Sequence, residues 1–118
     1  MNEFEIVTNK FDQLLKEATD KLKNNRLEEA YEYIMHACEA DPNAPHPHNL
    51  LGIWYEFKGK NELARKHYRV AYVLDPTYIP ASENLERVST LFLYKSIPVN
   101  YGYLSEEDIR ISGGNSKK

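Results

Sequence analysis

The chain nearly repeats itself with a period of roughly 34 residues, and this period constrains its fold more than any other feature. Small residues recur where two helices would have to touch, and an aspartate–proline pair closes each unit. Such periods are typical of stacked helix–turn–helix units, because one unit cannot bury its apolar face alone. The sequence therefore predicts an all-α solenoid whose stacked units form a binding surface. The equivalent positions are Ala18 and Gly52, Ala30 and Ala64, Ile34 and Tyr68, Ala37 and Ala71, and Asp41-Pro42 and Asp75-Pro76.

Apolar residues at three- and four-residue spacing predict two helical hairpins after an N-terminal lead-in, residues 1–10. The first hairpin is expected to turn at Asn24-Asn25 and the second at Gly59, since asparagine and glycine tolerate the left-handed conformation at a helix end. Gly52 inside a helix is expected to mark a close crossing with no room for a side chain. The predicted repeats are residues 11–44 and 45–78, and their helices are Phe11–Asn24, Leu27–Ala40, Pro47–Phe57 and a helix from about Asn61 to Asp75.

A fifth helix, residues 79–94, is predicted to cap the repeats, with Ala81, Leu85, Val88 and Phe92 on one face. Residues 95–118 lose helical periodicity and form an extended tail that is expected to be disordered at its end. The part of the tail from Ile97 to Leu104 is too apolar to be a free linker, because a soluble chain normally covers such area. We expect it to dock on the chain's own surface or on a neighbouring molecule.

The second unit resembles the tetratricopeptide repeat. It carries the family's leucine–glycine pair, aromatic, turn glycine, alanine, second aromatic, second alanine and proline. The first unit matches mainly in its second helix, since Glu17 and Lys21 stand where the family prefers leucine and an aromatic residue. The resemblance covers roughly residues 11–94 and implies a small two-repeat solenoid that binds a protein or peptide. The matching residues of the second unit are Leu51-Gly52, Tyr55, Gly59, Ala64, Tyr68, Ala71 and Pro76.

The resemblance also implies a peptide-binding groove along the first helix of each repeat. The family's co-chaperones clamp a terminal carboxylate with cationic side chains, and the matching positions here include Leu15, Thr19 and Asn84, which carry no charge. Recognition of a free C-terminus is therefore not expected, and the lining suits an extended segment or an amphipathic helix. The predicted groove residues are Leu15, Thr19, Leu22, Asn49, Ile53, Glu56, Phe57, Asn84 and Arg87.

Composition excludes several classes of protein. The formal net charge is −3, which offers no general attraction to nucleic acid. No apolar run approaches the roughly 18 residues that a bilayer requires, so no membrane partner is expected. The acidic N-terminus lacks the pattern of a secretory signal, and the single cysteine, Cys38, fits a reducing compartment. These observations predict a cytoplasmic protein.

No motif predicts catalysis, a metal or a cofactor. Phosphate loops, nucleophile elbows and zinc motifs are missing from the sequence. His46 and His48 are two residues apart and do not share a helix face, so a solvated helix entrance is favoured over a metal site. Cys38 falls among packing residues and is expected to be an inert thiol. Trp54 is expected to pack between the two units, with an exposed binding anchor as the alternative.

The sequence thus predicts a non-enzymatic adaptor or scaffold that binds a partly apolar peptide or helix in its groove and needs no cofactor. The alternative is a self-associating structural protein that assembles as a homodimer through its tail, or through the ends of its repeats.

Overall fold

Two helical hairpins and a fifth helix make up the described structure, which contains no strand in residues 3–90 and 97–102. The computed structural model describes the backbone of these two ranges and the side chains of residues 10–90 and 97–102. None of the helices described is long and apolar enough to cross a bilayer. The helices are α1 (Glu3–Lys23), α2 (Leu27–Ala40), α3 (His46–Phe57), α4 (Asn61–Leu74) and α5 (Ile79–Val88).

Both hairpins turn in the same way, at positions one repeat period apart. Asn25 and Gly59 have φ values of 57° and 75°, as predicted for the residue after a helix. The amide of Arg26 donates to the carbonyl of Lys21 at 2.8 Å, and the amide of Lys60 donates to that of Tyr55 at 2.9 Å. Together with a second bond from Asn25 or Gly59, this pairing is the Schellman motif, which satisfies the last carbonyls of a helix. The period therefore specifies backbone geometry as well as residue type.

The second helix of each hairpin also ends identically. Asp41 and Asp75 leave the helical region for extended backbone, as expected of a residue before proline. The Asp41 carboxylate accepts the amide hydrogen of Asn43 at 3.2 Å, and the Asp75 carboxylate accepts that of Thr77 at 3.0 Å. These bonds close an Asx turn, which directs the chain into the next helix.

The helices pack in two layers. Each helix contacts its neighbour along the chain, and α3 also contacts both α1 and α5. One layer therefore consists of α1, α3 and α5 in succession, and α2 and α4 lie behind it. The core between the layers includes the fully buried alanines that the period predicted, namely Ala18, Ala30, Ala37, Ala64 and Ala71.

The helices α3 and α4 approach closely where Gly52 faces the ring of Tyr68. A β-carbon on Gly52 would lie 2.6 Å from Cδ1 and 2.8 Å from Cζ of that ring. Tyr68 itself is fully buried. The predicted crossing without room for a side chain is confirmed, and it explains why a glycine is tolerated inside α3 at a cost of about 1 kcal/mol relative to alanine.

Two helix boundaries differ from the prediction. The first helix begins at Glu3, so most of the predicted lead-in, residues 1–10, is helical. Apolar spacing begins only at Phe11, and it marks the buried stretch of a helix rather than its full length.

The fifth helix ends at Val88 rather than near Tyr94. The hydroxyl of Thr90 donates to the carbonyl of Glu86 at 2.9 Å, while its amide bonds to Arg87 in a tighter turn. A side chain that competes for the helical acceptor favours such an end. Phe92 lies outside the described residues.

Candidate functional site

The outer surface of α1, α3 and α5 carries a second piece of the same chain, residues 97–102. We call this surface the peptide face and residues 97–102 the resident segment. The resident segment bonds to Asn49 on α3 and to Glu83 and Asn84 on α5. The expectation that this part of the tail docks on the chain's own surface is met for these six residues. Tyr103 and Leu104 lie outside the described residues.

Two buried asparagines hold the main chain of the resident segment. The Asn84 side chain accepts the amide hydrogen of Asn100 at 2.8 Å and donates to its carbonyl at 2.7 Å. Asn49 donates to the same carbonyl at 3.0 Å and accepts a bond from Asn84 at 2.8 Å. The two side chains are 0 % and 1 % exposed. Both polar groups of the Asn100 main chain are therefore satisfied by helix side chains, as a strand partner would satisfy them.

The side chain of Asn100 makes two further bonds. Its Nδ2 donates to Oε1 of Glu83 at 2.7 Å, at the exposed edge of the peptide face. Its Oδ1 accepts the amide hydrogen of Gly102 at 2.9 Å. The second bond closes an Asx turn inside the resident segment, which fixes the direction of the chain after Tyr101.

Apolar contacts accompany these bonds. Val99 and Tyr101 are partly buried against the hydrophobic core. The ammonium group of Lys23 lies 5.2 Å from the centroid of the Tyr101 ring, within cation–π range. Burial raises the pKa of the Tyr101 phenol, and the nearby Glu56 carboxylate raises it further. The phenol is therefore neutral in its place on the face.

Gly102 lies at a position where any side chain would be strained. Its φ is 75°, and a β-carbon would collide with the Tyr78 hydroxyl and lie 3.1 Å from Cζ of the same ring. Burial raises the pKa of Tyr78 to about 12, although a hydrogen bond with Asn49 acts in the opposite direction. The neutral phenol thus forms a wall against which the backbone of Gly102 rests.

Beneath the resident segment, Arg87 and Glu56 form an ion pair whose side chains are 4 % and 5 % exposed. Nη1 of Arg87 donates to Oε1 of Glu56 at 2.8 Å, and Nη2 donates to Oε2. The hydroxyl of Tyr68 donates to Oε2 as well. This pair connects α3 with α5. Both residues were predicted to line the peptide-binding groove, and in the structure they bind each other within the fold.

The remaining predicted groove residues lie in four different surroundings. Asn49 and Asn84 contact the resident segment directly, as described. Leu22 and Ile53 are fully buried in the core. Phe57 is 39 % exposed in the last turn of α3. Leu15 and Thr19 line a cleft beside the resident segment, and the Thr19 hydroxyl donates to the carbonyl of Leu15. Whether these residues bind a partner stays a prediction.

Two open clefts continue the peptide face on either side of the resident segment. Their volumes are about 430 Å³ and about 480 Å³. The first is lined by Asp12, Leu15, Thr19, His46, Leu50, Tyr78, Tyr101 and Gly102, and the second by Glu83, Asn84, Glu86, Arg87, Thr90, Ile97, Pro98 and Asn100. The face therefore has room for a polypeptide longer than the six described residues.

Lys23 and Tyr78 are site residues that sequence reasoning missed. Lys23 lies in the last turn of α1, where a cation is ordinarily explained by the helix dipole. Tyr78 directly precedes α5 in a linker. Neither position belongs to the periodic pattern of the helices. The only hint in the sequence was the apolar tail, which contacts both residues.

The histidines on α3 and α4 are partly buried, in contrast to the predicted solvated entrance. His46 packs against the rings of Phe11 and Tyr78 at 5.9 Å and 4.6 Å. Nδ1 of His48 lies 3.5 Å from Nδ1 of His67, and the two rings stack. No group of three or more histidine, cysteine, aspartate or glutamate side chains within the described ranges is placed to hold a metal ion.

We expect stability to fall as the pH drops below about 6.5, the ordinary histidine pKa. Burial lowers the pKa of His46, His48 and His67, and His48 lowers that of His67 further, while Asp12, Asp41 and Asp75 partly offset the effect at His46. A lowered pKa means that the unfolded chain binds more protons, so this stability is complete above pH 6.5 and lost towards the folded-state pKa values.

Urea unfolding at pH 7.5 and 5.5 measures this loss. His67→Phe keeps the ring stack with Tyr55 and removes one titrating group. The difference between the urea midpoints at pH 7.5 and pH 5.5 should therefore be smaller in this variant. The exposed His36 provides the matched control as His36→Gln. If the urea midpoint of the wild-type chain is no lower at pH 5.5 than at pH 7.5, the prediction is wrong.

Trp54 contacts both repeats, as expected of the packing interpretation. Its indole nitrogen donates to the carbonyl of Leu27 at 2.8 Å, and Tyr31 of α2 lies 5.0 Å away between ring centroids. The outer side of the ring lines an open cleft of about 640 Å³, where the Lys58 ammonium lies over it. Trp54 thus packs between the two units, and one face of its ring stays partly exposed.

Cys38 is partly buried on α2. Burial raises the pKa of its thiol, and the neighbouring Glu39 carboxylate raises it further. Both effects disfavour the thiolate, which is the reactive form.

Comparisons of the chain with protein-family models, with curated proteins and with solved structures returned no match. The functional interpretation therefore depends on the geometry of the peptide face alone.

Proposed function

We propose that the chain is a non-enzymatic protein-interaction module whose peptide face binds an extended segment of a partner protein. The observation that carries the proposal is the hold of Asn49 and Asn84 on the main chain of Asn100. A surface that satisfies both the amide and the carbonyl of one residue can bind a polypeptide through its backbone, much as a sheet edge binds an added strand.

The two hairpins are proposed to be tetratricopeptide repeats. The support is the recurrence of the same turns and caps one repeat period apart, at Asn25 and Gly59 and again at Asp41 and Asp75. The cytoplasm is the proposed location, since a single cysteine fits a reducing compartment.

In this proposal the resident segment occupies the site when no partner is bound. It bonds to Asn49 and Asn84, whose side chains are almost inaccessible in the structure. A partner would therefore have to displace residues 97–102, and the tail would act as a built-in competitor.

The proposal is tested in the full chain by displacing the resident segment. Gly102→Val places a branched side chain where a β-carbon already collides with Tyr78, so the segment should leave the face. Hydrogen exchange of the Asn100 amide, which Asn84 protects, should then become fast. A fluorescent peptide of residues 95–104 should bind this variant saturably and bind the wild-type chain more weakly.

Adding Asn84→Leu to Gly102→Val should abolish peptide binding, while Ile97→Ser, at a position 42 % exposed, should leave the resident segment in place. Circular dichroism checks that each variant is folded. The absence of saturable binding to the displaced variant would refute the proposal. A doubling of mass in light scattering, at concentrations where the wild type is a monomer, would instead support the alternative of dimers that exchange tails.

A further inference from the structure

The resident segment also indicates which sequence the peptide face selects. We infer that the face recognises an internal segment of a partner with the pattern apolar residue, asparagine, aromatic residue, glycine, of which Val99-Asn100-Tyr101-Gly102 is the resident copy. This inference rests on the proposed function and adds specificity to it. Main-chain bonds alone would accept almost any extended peptide, whereas the contacts made at these four positions would not.

The asparagine position discriminates by charge and by shape. Nδ2 of Asn100 donates to Glu83, while Oδ1 accepts the amide hydrogen of Gly102. Aspartate has the same shape but would set a second carboxylate oxygen 2.7 Å from that of Glu83. Alanine could make neither bond. Asparagine is therefore the small side chain that meets both requirements at once.

The glycine position discriminates by backbone geometry. A residue with a side chain rarely adopts the φ of 75° found at Gly102, and its β-carbon would also meet Tyr78 and Pro80. The turn that Asn100 closes delivers the chain to this wall, so the two positions act together.

The two positions beside the asparagine discriminate by burial. Val99 and Tyr101 both pack against the core, and the Tyr101 ring receives the Lys23 ammonium. A cation–π contact requires an aromatic face, which makes leucine a poor substitute. The chain continues beyond Gly102, so the pattern needs no free terminus.

Peptides of residues 95–104 with single changes test the pattern on the full-length Gly102→Val chain, with affinities from fluorescence anisotropy. Asn100→Asp should weaken binding about tenfold, as expected when a hydrogen bond is replaced by a charge repulsion. Gly102→Ala should weaken it about tenfold or more, because alanine resists positive φ. Tyr101→Leu should weaken it about threefold to tenfold.

A change on the protein side separates recognition from general peptide damage. Glu83→Gln offers an amide to the aspartate, so it should restore binding of the Asn100→Asp peptide to within about threefold of the parent peptide. Glu86→Gln is the matched control on the same helix, since Glu86 is also exposed, and it should restore nothing.

The outcomes distinguish the two proposals. If the parent peptide fails to bind, the proposed function itself is wrong. If the parent peptide binds but the aspartate and alanine peptides bind equally well, the face binds backbone without the inferred selectivity, and the further inference is overturned. If Glu86→Gln rescues the aspartate peptide as well as Glu83→Gln does, the assigned contact is wrong.

Discussion

Arg87→Met should lower the free energy of unfolding by about 3 to 5 kcal/mol, the range for removing one partner of a buried ion pair. The guanidinium holds the Glu56 carboxylate through two bonds, and both side chains are almost inaccessible to solvent. Without it, the Glu56 carboxylate would stay buried and lose this counter-charge. Chemical denaturation at pH 7.5 measures the loss.

The pair between Arg65 and Glu62 provides a matched control, because Glu62 is 82 % exposed. Arg65→Met should therefore cost at most about 1 kcal/mol. The double variant Arg87→Met with Glu56→Met should be more stable than Arg87→Met alone, since no charge of the pair is then left buried. Equal losses for Arg87→Met and Arg65→Met would show that the pair between α3 and α5 does not hold the helices together.

Gly52→Ala should destabilise the protein by about 1 to 3 kcal/mol, the usual cost of overpacking. At an ordinary helical position the same change would stabilise by about 1 kcal/mol, so the sign alone is diagnostic. The reason is the position of the Tyr68 ring, which occupies the space that a β-carbon would need. Thermal and urea unfolding both report the change.

The cost of Gly52→Ala should fall when the ring is removed. In the background of Tyr68→Leu, which is less stable to begin with, the added methyl group should be tolerated better, and the difference gives the coupling between the two positions. An identical cost in both backgrounds would mean that the clash lies elsewhere.

The repeat period made most of the helical scaffold predictable. The turn residues Asn25 and Gly59 and the closing aspartates are local determinants, so their conformations follow from a few neighbouring residues. The small residue at position 52 required only the assumption that small side chains mark close crossings. Features that depend on a few neighbouring residues could therefore be predicted from the sequence.

The peptide face was less predictable, because it depends on residues far apart in the chain. Asn49 and Asn84 were identified as groove residues, but their shared hold on Asn100 spans 51 and 16 positions and has no local pattern. Glu56 and Arg87 looked like groove charges that a ligand could use, because the ion pair between them becomes visible only when α3 and α5 are placed side by side. The end of α5 at Val88 is accompanied by a side-chain bond of Thr90, which the apolar spacing does not reveal.

The short connection between α5 and the resident segment has a quantitative consequence for any partner. Thr90 and Ile97 are separated by six residues in the sequence, and a short tether presents its segment at an effective concentration on the order of millimolar. A free peptide with the same intrinsic affinity would then be outcompeted at ordinary cellular concentrations. Only a partner with a tighter grip, or one that offers several copies of the segment, would gain access. In the proposed function, this connection sets a threshold of affinity for a partner, and the rate at which residues 97–102 leave the face limits how fast that partner can bind.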